Sequence, residues 1–397
     1  MRSVFSPLQE AAKAELRLSD LQLSLVQGLA VALPVAALSL PIGRLTDRGN
    51  RVGLLIGLAA LWTLGAVGTA FVHEFYGLFF ARMLAGLGSM CAIGVAISIA
   101  ADLSAPQHRG RALLFLSLGN MFGVAAAFAL AGTLLGAFKR APPIFAGMTP
   151  WREVHIAFGA LSLLLAAPLC LLREPARREV GIEHAGLGAA LKEILARRNF
   201  LGPLFVGQVT VVMADTAAGI WAAPVLVRDY HLSPEQFGGW MGLIILVAGI
   251  AGALLGGFAA DFGHKLKLKG GVLIGAVIAA SIAVPTALFP IMPTTAAFGC
   301  MLAVFLIAGA MCGLITATAI AVLVPNEIRG VCLGAFIVVG ALVGLGVAPT
   351  LVTLLSTQIG GENAIGLALA ITGTAVSALG LIGFALAFRH AGSLGAP

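Results

Sequence analysis

Long apolar runs, broken by short polar turns, govern what this chain can fold into. Crossing about 30 Å of hydrocarbon takes roughly 20 apolar residues. Runs near that length read as Leu21 to Gly43, Val52 to Val72, Tyr76 to Ala101, Ala112 to Phe138 and His155 to Leu172 in the first part of the chain. The second part offers Leu201 to Val227, Phe237 to Ala260, Gly271 to Pro290, Ala296 to Val324, Val331 to Ser356 and Ala364 to Phe388. A helix satisfies its own backbone polar groups in lipid, so the expected fold class is all-α, a polytopic membrane protein with about 11 full spans. With 59% apolar and 10% charged residues, an ordinary soluble domain is excluded. The 51 glycines would weaken helices in water, but between helices in lipid they let backbones approach closely.

A charged stretch repeats. Gly43-Arg44-Leu45-Thr46-Asp47-Arg48-Gly49-Asn50-Arg51 and Gly257-Phe258-Ala259-Ala260-Asp261-Phe262-Gly263-His264-Lys265 share one offset of 214 positions, which keeps a glycine, an acid, a second glycine and a base in register. Each follows an apolar run, as duplicated halves would require. The expected division is an N-terminal helix bundle over 1–172, a linker over 173–200, a C-terminal bundle over 201–389 and a tail over 390–397. The second charged stretch follows the second span of its half, whereas the first follows what reads as the first span. Residues Met1 to Arg17 hold too few apolar positions to cross alone and read as the exit half of a first helix whose remainder is missing upstream; an incomplete helix is the alternative.

The net charge of +7 raises nucleic-acid binding, but the bases sit in turns between apolar runs, so they set membrane orientation instead. With the Gly43 turn taken as cytoplasmic, 16 of the 24 Lys and Arg fall inside, six outside and two, Arg2 and Arg82, within spans. The linker and C-terminus are then cytoplasmic, and the expected home is a bacterial inner membrane. Within the linker, Leu187, Leu191, Ile194 and Leu195 recur at helical spacing beside Lys192 and Arg197, as in a short helix on the membrane surface. No cleavable signal peptide is visible in residues 1–20. The five cysteines lie in apolar segments without Cys-x-x-Cys spacing and are expected to be buried, unpaired thiols.

Few polar residues interrupt the spans. A permanent cation in hydrocarbon is costly, so Arg82 should face a cavity, a carboxylate or an anionic solute, with snorkelling from a helix end as the alternative. Asp215, beside Met213, Ala214 and Thr216, could carry a proton, pair with Arg82 or Arg2, or bond between helices. Asn120, Gln208 and Trp221 are cavity candidates, each with packing or interhelical bonding as the plainer role. At the first turn Asp47, Arg48 and Arg51 suit either a polar latch made and broken between helices or a topogenic loop. No paired-His metal motif and no Gly-x-Ser-x-Gly elbow occurs, so an embedded hydrolase is disfavoured; no enzyme activity, cofactor or metal is expected.

Gly43, Asp47, Arg48, Gly49 and Arg51 resemble the G-x-x-x-D-R-x-G-R loop of the major facilitator superfamily, apart from a one-residue offset toward its close. The resemblance covers the chain from about Met1 to Arg389. It implies two pseudo-symmetric six-helix halves around a central cavity, alternating access, and a conformational latch at Gly43, Asp47, Arg48 and Arg51. Asp261 marks the second latch, weakened by Phe262 where an arginine would stand. Arg82-Met83-Leu84-Ala85-Gly86-Leu87-Gly88 resembles the basic residue and glycines of the family's fourth helix, tied to substrate or coupling. Leu18-Ser19-Asp20-Leu21-Gln22, Gln27-Gly28, and Trp221, Pro224 and Arg228 ahead of Leu232-Ser233 are similar to the bacterial Spinster-like branch. That implies movement of lysolipid-like amphipathic molecules or small organic anions.

Two departures weaken proton coupling by that branch's usual route. Only Met1 precedes Arg2 where an acid is usual, and Ser89 stands where an acid usually follows the glycines. In the fifth helix Gly119-x-x-x-Gly123 lacks the antiporter proline, which leaves direction open. The expectation is a secondary active transporter of an organic or lipid-like solute, with a coupling proton, membrane lipids as surroundings and a monomeric state. A solute sensor that keeps the fold without transport is the alternative.

Overall fold

A computed structural model describes residues 2–105, 108–145, 147–177, 194–266, 268, 270–324 and 326–391. After a 3₁₀ turn at Arg2–Val4, the chain forms α1 (Phe5–Leu16), α2 (Asp20–Arg48), α3 (Arg51–Thr69), α4 (Phe75–Leu103), α5 (Arg109–Arg140) and α6 (Pro150–Leu171). It continues with α7 (Arg198–Arg228), α8 (Pro234–Lys265), α9 (Gly271–Ile291), α10 (Thr295–Leu323), α11 (Gly334–Ile359) and α12 (Gly361–Ala391). Eleven of these, α2 to α12, are long and apolar enough to cross a membrane. Each expected span is present, most of them a few residues longer than its apolar run.

Local chemistry sets the breaks. Arg17 takes a left-handed backbone (φ 51°) that ends α1. Ser19 then opens α2 with a capping box, its hydroxyl accepting from the Gln22 N–H at 3.2 Å while its own N–H donates to Gln22 Oε1 at 2.9 Å. Asn50 starts α3 by accepting from the Gly53 N–H at 2.6 Å, and Thr294 starts α10 by accepting from the Ala297 N–H at 3.2 Å. Two spans contain π-helical segments, Leu25–Leu29 in α2 and Gly340–Val347 in α11. At 12 residues, α1 is about 18 Å long at 1.5 Å per residue, too short to cross.

Two sequence expectations change. Gly43 to Arg48 are the last helical turns of α2, and the true turn is Gly49-Asn50; Gly257 to Lys265 likewise close α8. Apolar character carried both helices through residues that the charges alone mark as loop. Of the cysteines, Cys312 and Cys332 are buried, Cys91 is half-buried, and Cys170 and Cys300 are exposed. An apolar residue on a membrane helix can face lipid instead of protein, and periodicity does not separate the two. The surface helix expected in the linker falls largely on 178–193, outside the described residues.

By contacts the chain divides into two compact units, Met1–Val180 with Ala223–Leu246, and Gly181–Ala222 with Val247–Pro397. In the first unit, α3 and α4 pack along most of their lengths. Val52, Leu55 and Leu58 of α3 interlock with Ala92, Val95 and Ile99 of α4. Further along, Gly65 lies against the α4 backbone: a Cβ there would come within 2.6 Å of the Ala81 carbonyl oxygen. One turn on, a Cβ at Gly68 would meet only the Ala81 Cβ at 3.8 Å, an ordinary contact.

These two glycines should therefore respond differently to the same change. Gly65→Ala should destabilise the purified protein by about 1–3 kcal/mol through overpacking. Gly68→Ala should leave it unchanged or slightly more stable. Thermal unfolding in detergent reads both, and equal midpoints would contradict the packing described.

Candidate functional site

Arg82 sits within α4 with 2% of its surface exposed, so it does not snorkel to an end. Its guanidinium lies over the Phe5 ring of α1, with Cζ 5.0 Å from the ring centroid. Phe5 in turn meets His155 of α6 edge-on at 5.9 Å. The buried His155 places Nδ1 2.9 Å from the Trp151 carbonyl oxygen, which requires the proton on Nδ1. Its Nε2 is then a buried lone pair with no hydrogen-bond partner among the described residues. A cation, an aromatic face and an unused acceptor thus converge from three helices of the first unit.

Near one end of these helices lies a compact charge cluster. Arg228, at the last turn of α7, grips two carboxylates. Its Nη2 donates to Glu10 Oε1 at 2.8 Å and to Asp20 Oδ1 at 2.7 Å, its Nε to Glu10 Oε2 at 3.0 Å and its Nη1 to Asp20 Oδ2 at 2.7 Å. Lys13 adds a bond to Asp20 Oδ1 at 2.8 Å. Beside it, Glu15 receives the Arg152 Nε at 2.8 Å, the Thr149 hydroxyl at 2.6 Å and the Trp151 indole N–H at 2.5 Å. The short helix α1 is therefore tied by its acids to both α6 and α7.

At the opposite end of the same unit, Arg51 is 1% exposed and forms a second cluster. It donates to Glu174 Oε1 at 2.7 Å, to the Pro175 carbonyl at 2.9 Å, to the Ser98 hydroxyl at 3.2 Å and to Asp102. The other Glu174 oxygen accepts from the Val52 N–H at 2.9 Å. Arg177 closes the turn by donating to the carbonyls of Thr46 and Gly49 at 2.9 and 2.8 Å. Burial alone would raise the Glu174 pKa, but the Val52 N–H and the Arg51 guanidinium outweigh it and hold the carboxyl below its usual range.

The second unit holds Asp215, near the middle of α7, on a small cavity formed with α9, α10 and α12. Gln208, about two turns earlier on the same face of α7, is buried, with its Oε1 unbonded among the described residues. Trp221 is fully buried and donates its indole N–H to the Pro349 carbonyl at 3.2 Å, a bond between α7 and α11.

The sequence candidates thus separate. Arg82 and Arg51 lie at the centres of real clusters. Asp47, Arg48, Asp261 and Asn120 are exposed, and Gly43 is half-buried with open space around it. Arg2 begins the 3₁₀ turn before α1, and its side chain lies outside the described residues. Ser89 returns its hydroxyl to the Gly86 carbonyl of its own helix at 3.2 Å. Sequence reasoning missed His155, the acids Glu10 and Asp20, and the Arg51 partners Asp102 and Glu174. Glu10 and Asp20 carried a faint signal, being acids just ahead of the first long apolar run. The partners of Arg51 lie 51 and 123 positions away and carried none.

Eleven apolar helices with charges matched near their ends define an integral, multi-pass membrane protein. The model of the Major Facilitator Superfamily matches residues 1–349, and the chain belongs to that family. It is 25% identical over 260 residues to an MFS-type efflux pump of Mycolicibacterium smegmatis (64% of this chain, 57% of that protein). It is 33% identical over 124 residues to the 3-(3-hydroxy-phenyl)propionate transporter of Escherichia coli K12 (31% of this chain, 28% of that protein). The matched stretches thus span 57% or less of these two relatives. A probable 4-methylmuconolactone transporter of Cupriavidus pinatubonensis is 28% identical over 312 residues, 76% of this chain and 68% of that protein. In fold, the chain is similar to a bacterial homolog of the human lysosomal transporter Spinster, solved inward-facing and unoccupied, with a TM-score of 0.81 and 21% identity over 99% of this chain and 94% of the other. The nucleoside transporter NupG follows at a TM-score of 0.74 and 14% identity, over 96% of each chain. These kinships are with transporters, not enzymes.

Two outcomes follow from the clusters. Because the Glu174 pKa is depressed by folding, its contribution to stability is complete above the unfolded carboxylate pKa and lost as pH falls through the folded one. Glu174→Gln should lower the melting midpoint at neutral pH, and the gap to wild type should close on acidification; a gap that is constant with pH would exclude the ion pair as its source. Arg228→Met should cost about 3–5 kcal/mol by stranding two carboxylates, and Arg228→Lys should recover only part because it lacks the bidentate fork. Melting curves of the three proteins decide this.

Proposed function

We propose that the chain is a secondary active transporter that carries an organic solute with an anionic end and an apolar body across a bacterial inner membrane by alternating access. One observation carries the reading: in a family of solute carriers, a guanidinium is buried within the apolar helix α4 against an aromatic face. Such a group suits a carboxylate or phosphate whose apolar remainder lies among the surrounding helices. The sequence resemblance to the Spinster-like branch suggests a lysolipid-like amphiphile, while the E. coli relative's stated substrate supports an aromatic carboxylate.

In this reading the sequence halves 1–172 and 201–389 are the duplicated bundles, the 173–200 linker and the C-terminus are cytoplasmic, and the working form is a monomer. Arg51 with Asp102 and Glu174 forms the latch. Asp47, Arg48 and Asp261 are exposed and available for partners at another stage of the cycle, with Gly43 leaving space for their approach. Gln208, Trp221 and Asn120 are secondary candidates for solute contact, Trp221 the weakest of them because its indole N–H already bonds between helices.

Proteoliposomes loaded with a labelled aromatic carboxylate or a labelled lysophospholipid test the proposal. Saturable flux is expected with at least one of them. Arg82→Met should reduce it about 10-fold or more, as loss of one charge-assisted hydrogen bond implies. Saturable binding without flux would point to a solute sensor, and unchanged flux in Arg82→Met would remove the anion-binding role.

A further inference from the structure

We infer that Asp215 and the cavity beside it form the proton-carrying site of this protein, an inference that rests on the transport reading above. Among the described residues, Asp215 is the only acid lying more than about a turn and a half from the end of its span. Asp20, Asp102, Glu153, Glu235, Asp261 and Glu362 all stand close to helix ends, where headgroups and water supply partners. Asp215 stands deep in α7.

Its surroundings are mostly apolar and leave little room. Ala280 of α9, Phe305, Gly309 and Cys312 of α10 and Ser377 of α12 enclose a cavity of about 10 Å³ of free volume, room for about one water molecule. No Lys, Arg or His lines it. The facing groups are apolar from α9, the Cys312 thiol from α10 and the Ser377 hydroxyl from α12. The thiol already donates weakly to the Ala276 carbonyl at 3.6 Å. No ion pair or hydrogen bond to Asp215 occurs among the described residues.

Gly309 makes this arrangement fit. A Cβ at that position would stand 2.6 Å from both carboxylate oxygens, so the carboxyl group occupies the space that any other residue would fill. The acid therefore lies against bare backbone of α10, with nothing of opposite charge to meet it. A lone carboxylate in an apolar layer needs a counter-charge. A metal ion is a poor fit: apart from the carboxylate, the cavity offers only one hydroxyl and one thiol, and no cluster of three metal-binding side chains occurs among the described residues. A proton needs no further ligands. The step is balanced by itself: the carboxylate takes up one proton from water and returns it, and no other bond changes.

The test is infrared spectroscopy of the full-length protein in liposomes, following the protonated-carboxyl C=O stretch between about pH 5 and 8, a window in which an aspartate in water stays ionised. A band that titrates in this window, shifts in D₂O, and is lost in Asp215→Asn but kept in Cys312→Ser is expected. Gly309→Ala, which crowds the carboxyl group without removing it, should move the band, and this arm serves should Asp215→Asn fail to fold. No titrating band, or one unchanged in both Asp215→Asn and Gly309→Ala, would overturn the inference. Flux measured in the same liposomes separates the two readings. Flux without the band removes the proton site alone, whereas the band without flux keeps the proton site and removes the carrier.

Discussion

A charge that enters the apolar layer of this protein must be answered by another group within bonding distance, because lipid offers none. The rest of the architecture follows that constraint. Arg51, Arg152 and Arg228 are each buried or nearly so; each is met by one or two carboxylates, and Arg51 and Arg152 by backbone carbonyls as well. Their clusters lie near helix ends, where they hold helices together without opening the apolar core to water. Among the described residues, only two charged side chains lie more than about a turn and a half from such ends, Arg82 and Asp215. One rests on an aromatic ring in the first unit, and the other faces a nearly dry cavity in the second.

This division separates the groups that join helices from those that do not. The end clusters are multidentate and geometrically specific, so they favour one arrangement of helices over its neighbours. Asp215 is held by less directional surroundings: a small cavity and a glycine backbone. A carrier needs both kinds. Groups that must exchange partners during a cycle cannot be locked into bidentate pairs, and groups that hold the bundle cannot be left to solute.

The fold was legible because lipid imposes one rule on every span. Twenty or so apolar residues between polar breaks read as a helix whatever packs against it, and all the expected spans are present. Helix ends were less legible: α2 and α8 run on through Asp47 and Asp261, since charge marks where a helix meets headgroups, not where its hydrogen bonds stop. Arg82 and Asp215 stood out by being charged in apolar runs. Their environments did not, because Phe5, His155 and Gly309 look like ordinary helix residues until the chain folds. The partners of Arg228 were hidden for a different reason. Glu10 and Asp20 precede it by 218 and 208 positions, and no local pattern links residues so far apart.

The composition of the first unit bears on how the chain is made. It includes Ala223–Leu246, so its contact set cannot be complete until residue 246 has emerged from the ribosome, well after the first six helices have been synthesised. Until Arg228 arrives, Glu10 and Asp20 are without its guanidinium, and Asp20 has its bond from Lys13. Biogenesis must therefore shelter an unfinished N-terminal bundle, and a chain cut within the linker would yield a leading fragment that lacks its own last clasp.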